Sequence, residues 1–204
     1  DEDHPIIERF STPEEALKHP VWDMGKRITI DSATMMNKAL EIIEACWLFD
    51  QPATKIDVCI HPQSIVHSMV EFTDTSVKAQ MGIPDMRTPI AYALAWPDRI
   101  DMPLTCLDFT QRFVLDFFPP DEDKFPAVSI GRLAMTRPQT YPCIMNAADE
   151  VAIKAFLDKR ITFNKITEVV EKTIEKLSRE EITSPEDLLA LDQKARIVAE
   201  GMTT

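Results

Sequence analysis

Glycine is scarce in this chain. Among 204 residues only Gly25, Gly82, Gly131 and Gly201 occur, roughly 2% where about 7% is usual. Four scattered glycines build neither a G-x-G-x-x-G fingerprint nor a Walker-type loop, so the chain carries no nucleotide-binding loop of the standard kinds. Most of any nucleotide site then lies elsewhere. The four cysteines, Cys46, Cys59, Cys106 and Cys143, fit no zinc spacing and no C-x-x-C redox motif, and read as reduced thiols of an intracellular protein. No apolar run approaches the ~20 residues of a membrane helix. Cationic residues are also in the minority: 22 Lys+Arg stand against 34 Asp+Glu, a net charge of −12. That surface repels phosphate backbones, and no basic block offsets it, which argues against nucleic-acid binding. Asp1-Glu2-Asp3-His4-Pro5 has neither the cationic nor the apolar stretch of a signal peptide. The expectation is a soluble intracellular protein, or a piece of one, with no membrane partner.

What is present is ordinary globular stock, 45% hydrophobic and 27% charged. The first 25 residues read as loop with one short helix, Pro13 to Lys18. Arg27 to Asp31 reads as a short strand, and helical periodicity runs from Ala33 to about Asp50. Met35, Met36, Ala39, Leu40, Ile42, Ile43, Cys46 and Trp47 give that helix a wide apolar face, with Ser32 or Thr34 as its cap. Ile56 to Ile60, Val66 to Phe72 and Val77 to Met81 read as strands of a mostly antiparallel sheet, and Thr88 to Trp96 as a helix opened by Pro89. The proline-rich stretch from 97 to 126, with Phe109 to Phe118 as its strand-like run, reads as a crossing between domains. Beyond it four helices are expected: Pro126 to Met135, Tyr141 to Lys159, one capped by Asn164 and running to about Ser178, and one opened by Ser184-Pro185-Glu186-Asp187. The fold class is α/β of the α+β kind. A catalytic domain over 1–105, with a mostly antiparallel sheet flanked by helices, is followed by a linker over 106–125 and a small helical bundle over 126–204.

The densest polar constellation is Asp31-Ser32-Ala33-Thr34-Met35-Met36-Asn37-Lys38-Ala39-Leu40-Glu41. On a helix, Thr34, Asn37, Lys38 and Glu41 share about one quarter of the circumference, with Ser32 at the positive end of the dipole. A hydroxyl, an amide and an ammonium near a helix N-terminus suit a phosphate. Glu41, about 4.5 Å further along the axis from Lys38, suits a hard divalent cation beside it. The same spacing equally describes a solvated helix face with an i,i+3 ion pair. His61-Pro62-Gln63-Ser64 ends a strand where sites are common, and where turns are equally common. His67 within a strand reads first as a structural histidine. His19-Pro20-Val21-Trp22-Asp23-Met24-Gly25 is either a lid or a loop anchored by its Trp.

Three blocks in order, W-D-M-G-K-R-I-T-I-D-S-A-T-M-M-N-K-A-L-E, I-H-P-Q-S-I-V-H-S-M-V and G-I-P-D-M-R-T-P-I-A-Y-A-L-A-W-P, closely resemble the 1-deoxy-D-xylulose 5-phosphate reductoisomerase family. The later M-N-A-A-D-E-V-A-I-K-A-F-L resembles that family's C-terminal helices, and the resemblance runs from about His19 to the end. It implies NADPH and a divalent metal, Mg²⁺ or Mn²⁺, as cofactors, a phosphorylated sugar as substrate, and 2-C-methyl-D-erythritol 4-phosphate as product. It implies Ser32, Asn37 and Lys38 as phosphate binders, Glu41 as a metal ligand, and His19 as a substrate contact. It also implies Trp22 and Met24 as parts of a mobile loop over substrate and nicotinamide. Ser64, His67, Pro84 and Met86 are implied around the active site, with His67 among the catalytic residues and Met86 near the nicotinamide.

The family's Rossmann-type domain, its acidic D-x-E pair and its serine-glycine-glycine loop have no match here. The chain therefore resembles the C-terminal half of the enzyme and is expected to be inactive alone. The resemblance further implies a homodimer through the catalytic-domain sheet, in a bacterial cytoplasm or a plastid-type organelle. The competing reading is an acidic, non-catalytic interaction module with its helical bundle as the binding surface; a metal-dependent phosphatase using Glu41 lacks the other carboxylates such a site needs.

Overall fold

Residues 12–17 and 25–204 are described by a computed structural model, and within them helices dominate. Their contacts gather into two units, one drawn from residues up to Val58 and from Pro120 onward, the other from Cys59–Pro119.

In the first unit, α1 (Pro13–Ala16) is closed by a capping box: Glu15 N–H donates to the Thr12 hydroxyl, and the Glu15 carboxylate accepts from Thr12 N–H. The Arg27–Asp31 segment, expected as a strand, lies instead inside α2 (Lys26–Thr34). Its β-branched and hydroxyl residues are held helical by side-chain bonds one turn back. Thr29 donates to Gly25 O at 3.0 Å, Ser32 to Ile28 O at 2.8 Å and Thr34 to Ile30 O at 2.9 Å. Burial of Thr29, Ile30, Asp31 and Thr34 then outweighs intrinsic propensity. Ser32 is therefore not an N-cap, and the N-cap position of the next helix falls to Met35, although the Thr34 hydroxyl accepts from Met36 N–H, the first of that helix, at 3.3 Å.

The single helix expected from Ala33 to Asp50 is broken at Met35, whose backbone is left-handed (φ 63°), and α3 (Met36–Phe49) starts beyond that elbow. Burial of Met35 compensates the steric cost of this conformation in a non-glycine residue. The core stripe of α3 is Met36, Ala39, Ile42 and Cys46. Trp47, expected on that face, is 63% exposed.

α5 (Ala127–Ala134) packs on α3 through Gly131. A Cβ there would lie 2.7 Å from Ala39 Cα, so only glycine permits the approach. α6 (Tyr141–Leu157) packs against α7 (Phe163–Lys176) and α8 (Pro185–Glu200). Alanines at 148, 152, 195 and 199 lie buried with Phe156, Val169, Val170 and Leu191. α8 begins in the expected way: Asp187 N–H donates to the Ser184 hydroxyl, and the Asp187 carboxylate accepts from Ser184 N–H. For α7 the cap is Thr162, two residues before Asn164. Because α2 and α3 pack with the C-terminal helices, this unit is discontinuous in sequence, whereas the sequence division cuts the chain at 105 and 126.

In the second unit, β1 (Val66–Glu71) pairs antiparallel with β2 (Val77–Met81), Met69 opposite Ala79 and Val70 opposite Lys78. The turn is held by Asp74, which accepts from Ser76 N–H and hydroxyl at 3.0 and 2.5 Å. The expected third strand, Ile56–Ile60, makes only an isolated bridge from Ile60 to Phe118. The strand-like run ending at Phe118 has no other pairing, since proline and loop backbone flank both partners. α4 (Arg87–Ala95) follows the hairpin. Of this unit's residues Ala91 is the one fully buried.

Candidate functional site

The polar cluster expected on α3 forms. Asn37 Nδ2 donates to Glu41 Oε1 at 2.6 Å, and Lys38 Nζ meets Glu41 Oε2 at 2.7 Å. One carboxylate thus gathers an amide and an ammonium in the first two turns after the Met35 elbow. The Lys38 and Glu41 side chains are about half exposed, 42% and 44%, so both remain open to a ligand. Ser32 is on α2, on the other side of the elbow, where its hydroxyl donates to Ile28 O. With that proton committed, Ser32 reaches a phosphate as a donor only after rotating away from the carbonyl.

Three of the four residues could seat a phosphate: the Lys38 ammonium, the Asn37 amide and the Ser32 hydroxyl are charge-assisted or neutral donors of the right kind, whereas the Glu41 carboxylate only accepts. A divalent cation fits them less well. Among the described residues no group of three His, Cys, Asp or Glu side chains converges, and Glu41 is one oxygen donor where a hard cation needs six or more. The sequence holds no standard glycine loop for a dinucleotide.

The remaining expected residues fall in the second unit or outside the described residues. Ser64 has a left-handed backbone (φ 51°) and closes a turn on His61 O. That turn is stapled at both ends of Asp116: Gln63 Nε2 donates to Asp116 Oδ2 at 2.5 Å, Asp116 N–H donates to Gln63 Oε1, and His61 Nδ1 meets Asp116 O at 2.8 Å. The His61 ring stacks on Phe117 at 4.7 Å. His67, on β1 and exposed, brings Nε2 to 3.1 Å from Gly82 O. Met86 is exposed and lies, with Pro84, at the start of α4. Between them Asp85 accepts from the backbone and guanidinium of Arg87, whose hydrogen bonds hold the Asp85 carboxyl down at about 2. His19, Trp22 and Met24 lie outside the described residues.

One network was not anticipated from sequence. Arg27 on α2 donates to Glu150 Oε1 at 2.5 Å and to Asn146 Oδ1 at 2.8 Å on α6, and approaches Asp31 and Asp149 at 3.5 and 3.7 Å. Glu150 is also paired with Arg196 on α8 at 2.8 Å. Against its partial burial, Arg196 and Arg27 hold the Glu150 carboxyl below its ordinary range. The signal was present in Asn146-Ala147-Ala148-Asp149-Glu150, polar groups interrupting an otherwise apolar helix, but its partner segment reads as a strand. A cleft of about 590 Å³ is lined by Arg27, Ile28, Asp31, Leu40 and Asn146 among others.

Comparison with known proteins bears on this arrangement. The family model described as DXP reductoisomerase C-terminal domain matches residues 81–198. A second, described as 1-deoxy-D-xylulose 5-phosphate reductoisomerase C-terminal domain, matches residues 7–49. The 1-deoxy-D-xylulose 5-phosphate reductoisomerase of Chlorobium phaeobacteroides is 52% identical over 195 residues, covering 96% of this chain and 51% of that protein. The one from Chlorobaculum tepidum is 54% identical over 187 residues, 92% of this chain and 49% of that protein. The solved Zymomonas mobilis reductoisomerase in complex with NADPH superimposes with a TM-score of 0.83 at 46% identity, over 94% of this chain and 49% of its own. A reductoisomerase in complex with NADPH, fosmidomycin and magnesium gives 0.87 at 42% identity, over 95% and 50%. The chain spans about half the length of the curated relatives it matches.

Proposed function

The chain belongs to the DXP reductoisomerase C-terminal domain family, and from that premise we propose that it supplies the phosphate-binding elbow and one metal-ligand carboxylate of a 1-deoxy-D-xylulose 5-phosphate reductoisomerase. The observation that carries this reading is the cluster of Asn37, Lys38 and Glu41 directly after the α2–α3 elbow. In the proposal, Lys38 and Asn37 grip the substrate phosphate and Ser32 joins them after leaving Ile28 O. Glu41 would be the residue of this cluster to hold the divalent cation, through the carboxylate that here accepts from Asn37 and Lys38. His19, with Trp22 and Met24, contacts and covers the substrate; Ser64, His67, Pro84 and Met86 complete the surroundings, Met86 beside the nicotinamide.

When bound, the divalent cation supplies charge that polarises neighbouring substrate oxygens, and NADPH supplies hydride. Most of both cofactor sites is assigned to residues beyond these 204, consistent with the glycine scarcity and the single available carboxylate. The chain by itself is accordingly proposed not to turn over substrate. By function we propose a partial catalytic domain over 1–105, a linker over 106–125 and a C-terminal helical domain over 126–204. A homodimer through the β1–β2 hairpin is proposed from that hairpin's exposed apolar side chains, and the bacterial sources of the relatives support a cytoplasmic location.

The test is Lys38→Met in the full-length enzyme, with phosphorylated and dephosphorylated substrate analogues compared. A charge-assisted contact contributes roughly 1.5–3 kcal/mol, so affinity for the phosphorylated analogue should fall at least tenfold and that for the other should hold. Equal losses for both analogues exclude Lys38 as a phosphate ligand.

A further inference from the structure

Two buried carboxyl groups, Asp31 of α2 and Asp149 of α6, gather on Arg27 where the two helices pack. Asp31 and Asp149 are 3% and 1% exposed, and both turn an oxygen toward the same Arg27 guanidinium, at 3.5 and 3.7 Å. Among the described residues, Asp31 Oδ1 and both Asp149 oxygens find no hydrogen-bond donor. Ionised, the two groups are acceptors only, and a buried acceptor left unsatisfied costs roughly as much as a lost hydrogen bond, more when charged.

Cations nearby do not resolve this. Arg27 spends its short contacts on Glu150 and Asn146, while its Nε, itself without a hydrogen-bond partner among the described residues, stands 3.5 Å from Asp31 Oδ2 and its Nη2 stands 3.7 Å from Asp149 Oδ2. Arg196, from α8, is engaged by Glu150 and Asp192, each at 2.8 Å. Four carboxyl groups therefore share two guanidinium groups. The other elements packed on α2 bring no relief: α1 commits Glu14 to Lys159 and Glu15 to its own cap. α3 commits Lys38 to Glu41, and α7 buries apolar residues and Thr173.

We propose that Asp31 and Asp149 hold one proton between them, forming an O–H···O bond that pins the C-terminal half of α2 to α6. One proton supplies the missing donor, removes one buried negative charge, and leaves Arg27 facing a pair of net charge −1. The pin acts one turn before the Met35 elbow and so sets the direction from which α3 departs. This inference stands apart from the functional reading, because it concerns two side chains that touch neither proposed ligand.

Burial, and then the charge of Asp31, push the Asp149 carboxyl well above its ordinary value, and burial raises Asp31 as well. The folded chain then keeps a proton that the unfolded chain releases above the ordinary Asp range. Stability is greatest at the acid end of that window and falls as pH rises through the folded value. An asparagine at 149 donates a hydrogen bond through its amide with no proton to lose.

The experiment is carbonyl-region infrared spectroscopy of the full-length protein at neutral pH, wild type against Asp149→Asn and Asp31→Asn, with urea unfolding followed from about pH 5 to about pH 8. The expected result is a carboxylic-acid band in the wild type that is missing from both variants. The wild-type urea midpoint should decline with pH relative to that of Asp149→Asn. Absence of the acid band from the wild type, its persistence in both variants, or parallel pH dependence of wild type and Asp149→Asn overturns the proposal. If Asp149→Asn does not fold, the wild-type band and its loss in Asp31→Asn decide the matter.

Discussion

At the scale of single residues, Glu41 is where a solvated ion pair and a metal ligand diverge most. Its contact with Lys38 is short, 2.7 Å, but both side chains are about half in water. An exposed i,i+3 pair contributes a few tenths of a kcal/mol. Glu41→Gln should therefore leave the urea midpoint of the full-length enzyme nearly unchanged. Gln keeps the shape and the bond from Asn37 but removes a negative charge, and ligand charge sets the affinity of a hard-cation site. Turnover should fall by orders of magnitude, with the Mg²⁺ or Mn²⁺ requirement shifted to higher concentration. Parallel titrations of both metals check this; near-normal turnover with an unchanged metal dependence would leave Glu41 as nothing more than the partner of Lys38.

At the scale of elements, the proposed ligands are placed by how closely α3 lies on α5. Gly131 faces Ala39, the residue after Lys38, and a methyl group there would sit 2.7 Å from Ala39 Cα and 2.9 Å from its carbonyl oxygen. Both obstacles are backbone, so the helices must separate. Gly131→Ala should cost about 1–3 kcal/mol in urea unfolding and weaken binding of the phosphorylated analogue without altering any proposed ligand. Stability equal to wild type would mean that α5 shifts freely and does not fix α3. The same elements show what a sequence pattern can and cannot reveal. Tyr141–Leu157 and Pro185–Glu200 were legible because apolar periodicity and a Ser-Pro-Glu-Asp opening act locally. Arg27–Asp31 was not, because its Ile and Thr residues favour strands in isolation. Hydroxyl bonds one turn back, and a salt-bridged contact with residues more than a hundred positions away, turn it into helix. The Asn37, Lys38 and Glu41 cluster was legible for the opposite reason: all three share one helix face, and the break at Met35 falls just before them.

At the scale of the whole molecule, the two units are stabilised very differently. The first buries apolar side chains across seven described helices. In the second, only Ala91 is fully buried, while Met69, Val70, Phe72 and Val77 of the hairpin region are exposed, as are Phe109, Phe113, Val114 and Phe117. A two-stranded hairpin is marginal in water without a further layer, and apolar surface gathered on one element marks an interaction face. Side chains alternate across the pleat, so Met69 and Val77, which flank the Met69–Ala79 and Glu71–Val77 pairs, share one face, and Val70 lies on the other. If the Met69 and Val77 face is the one a second copy covers, Val77→Asp buries an unpaired charge in the interface and costs several kcal/mol of association. In a separated protomer the new carboxylate faces water opposite Glu71, a like-charge pair that costs the hairpin about 0.2–1 kcal/mol. Sedimentation velocity on the full-length enzyme should then show a dimer for wild type and a shift toward monomer for Val77→Asp, with Val77→Thr close to wild type. A dimer indifferent to Val77→Asp would move the contact off this face, and a wild-type monomer would leave the hairpin to be covered by the enzyme's own remaining half.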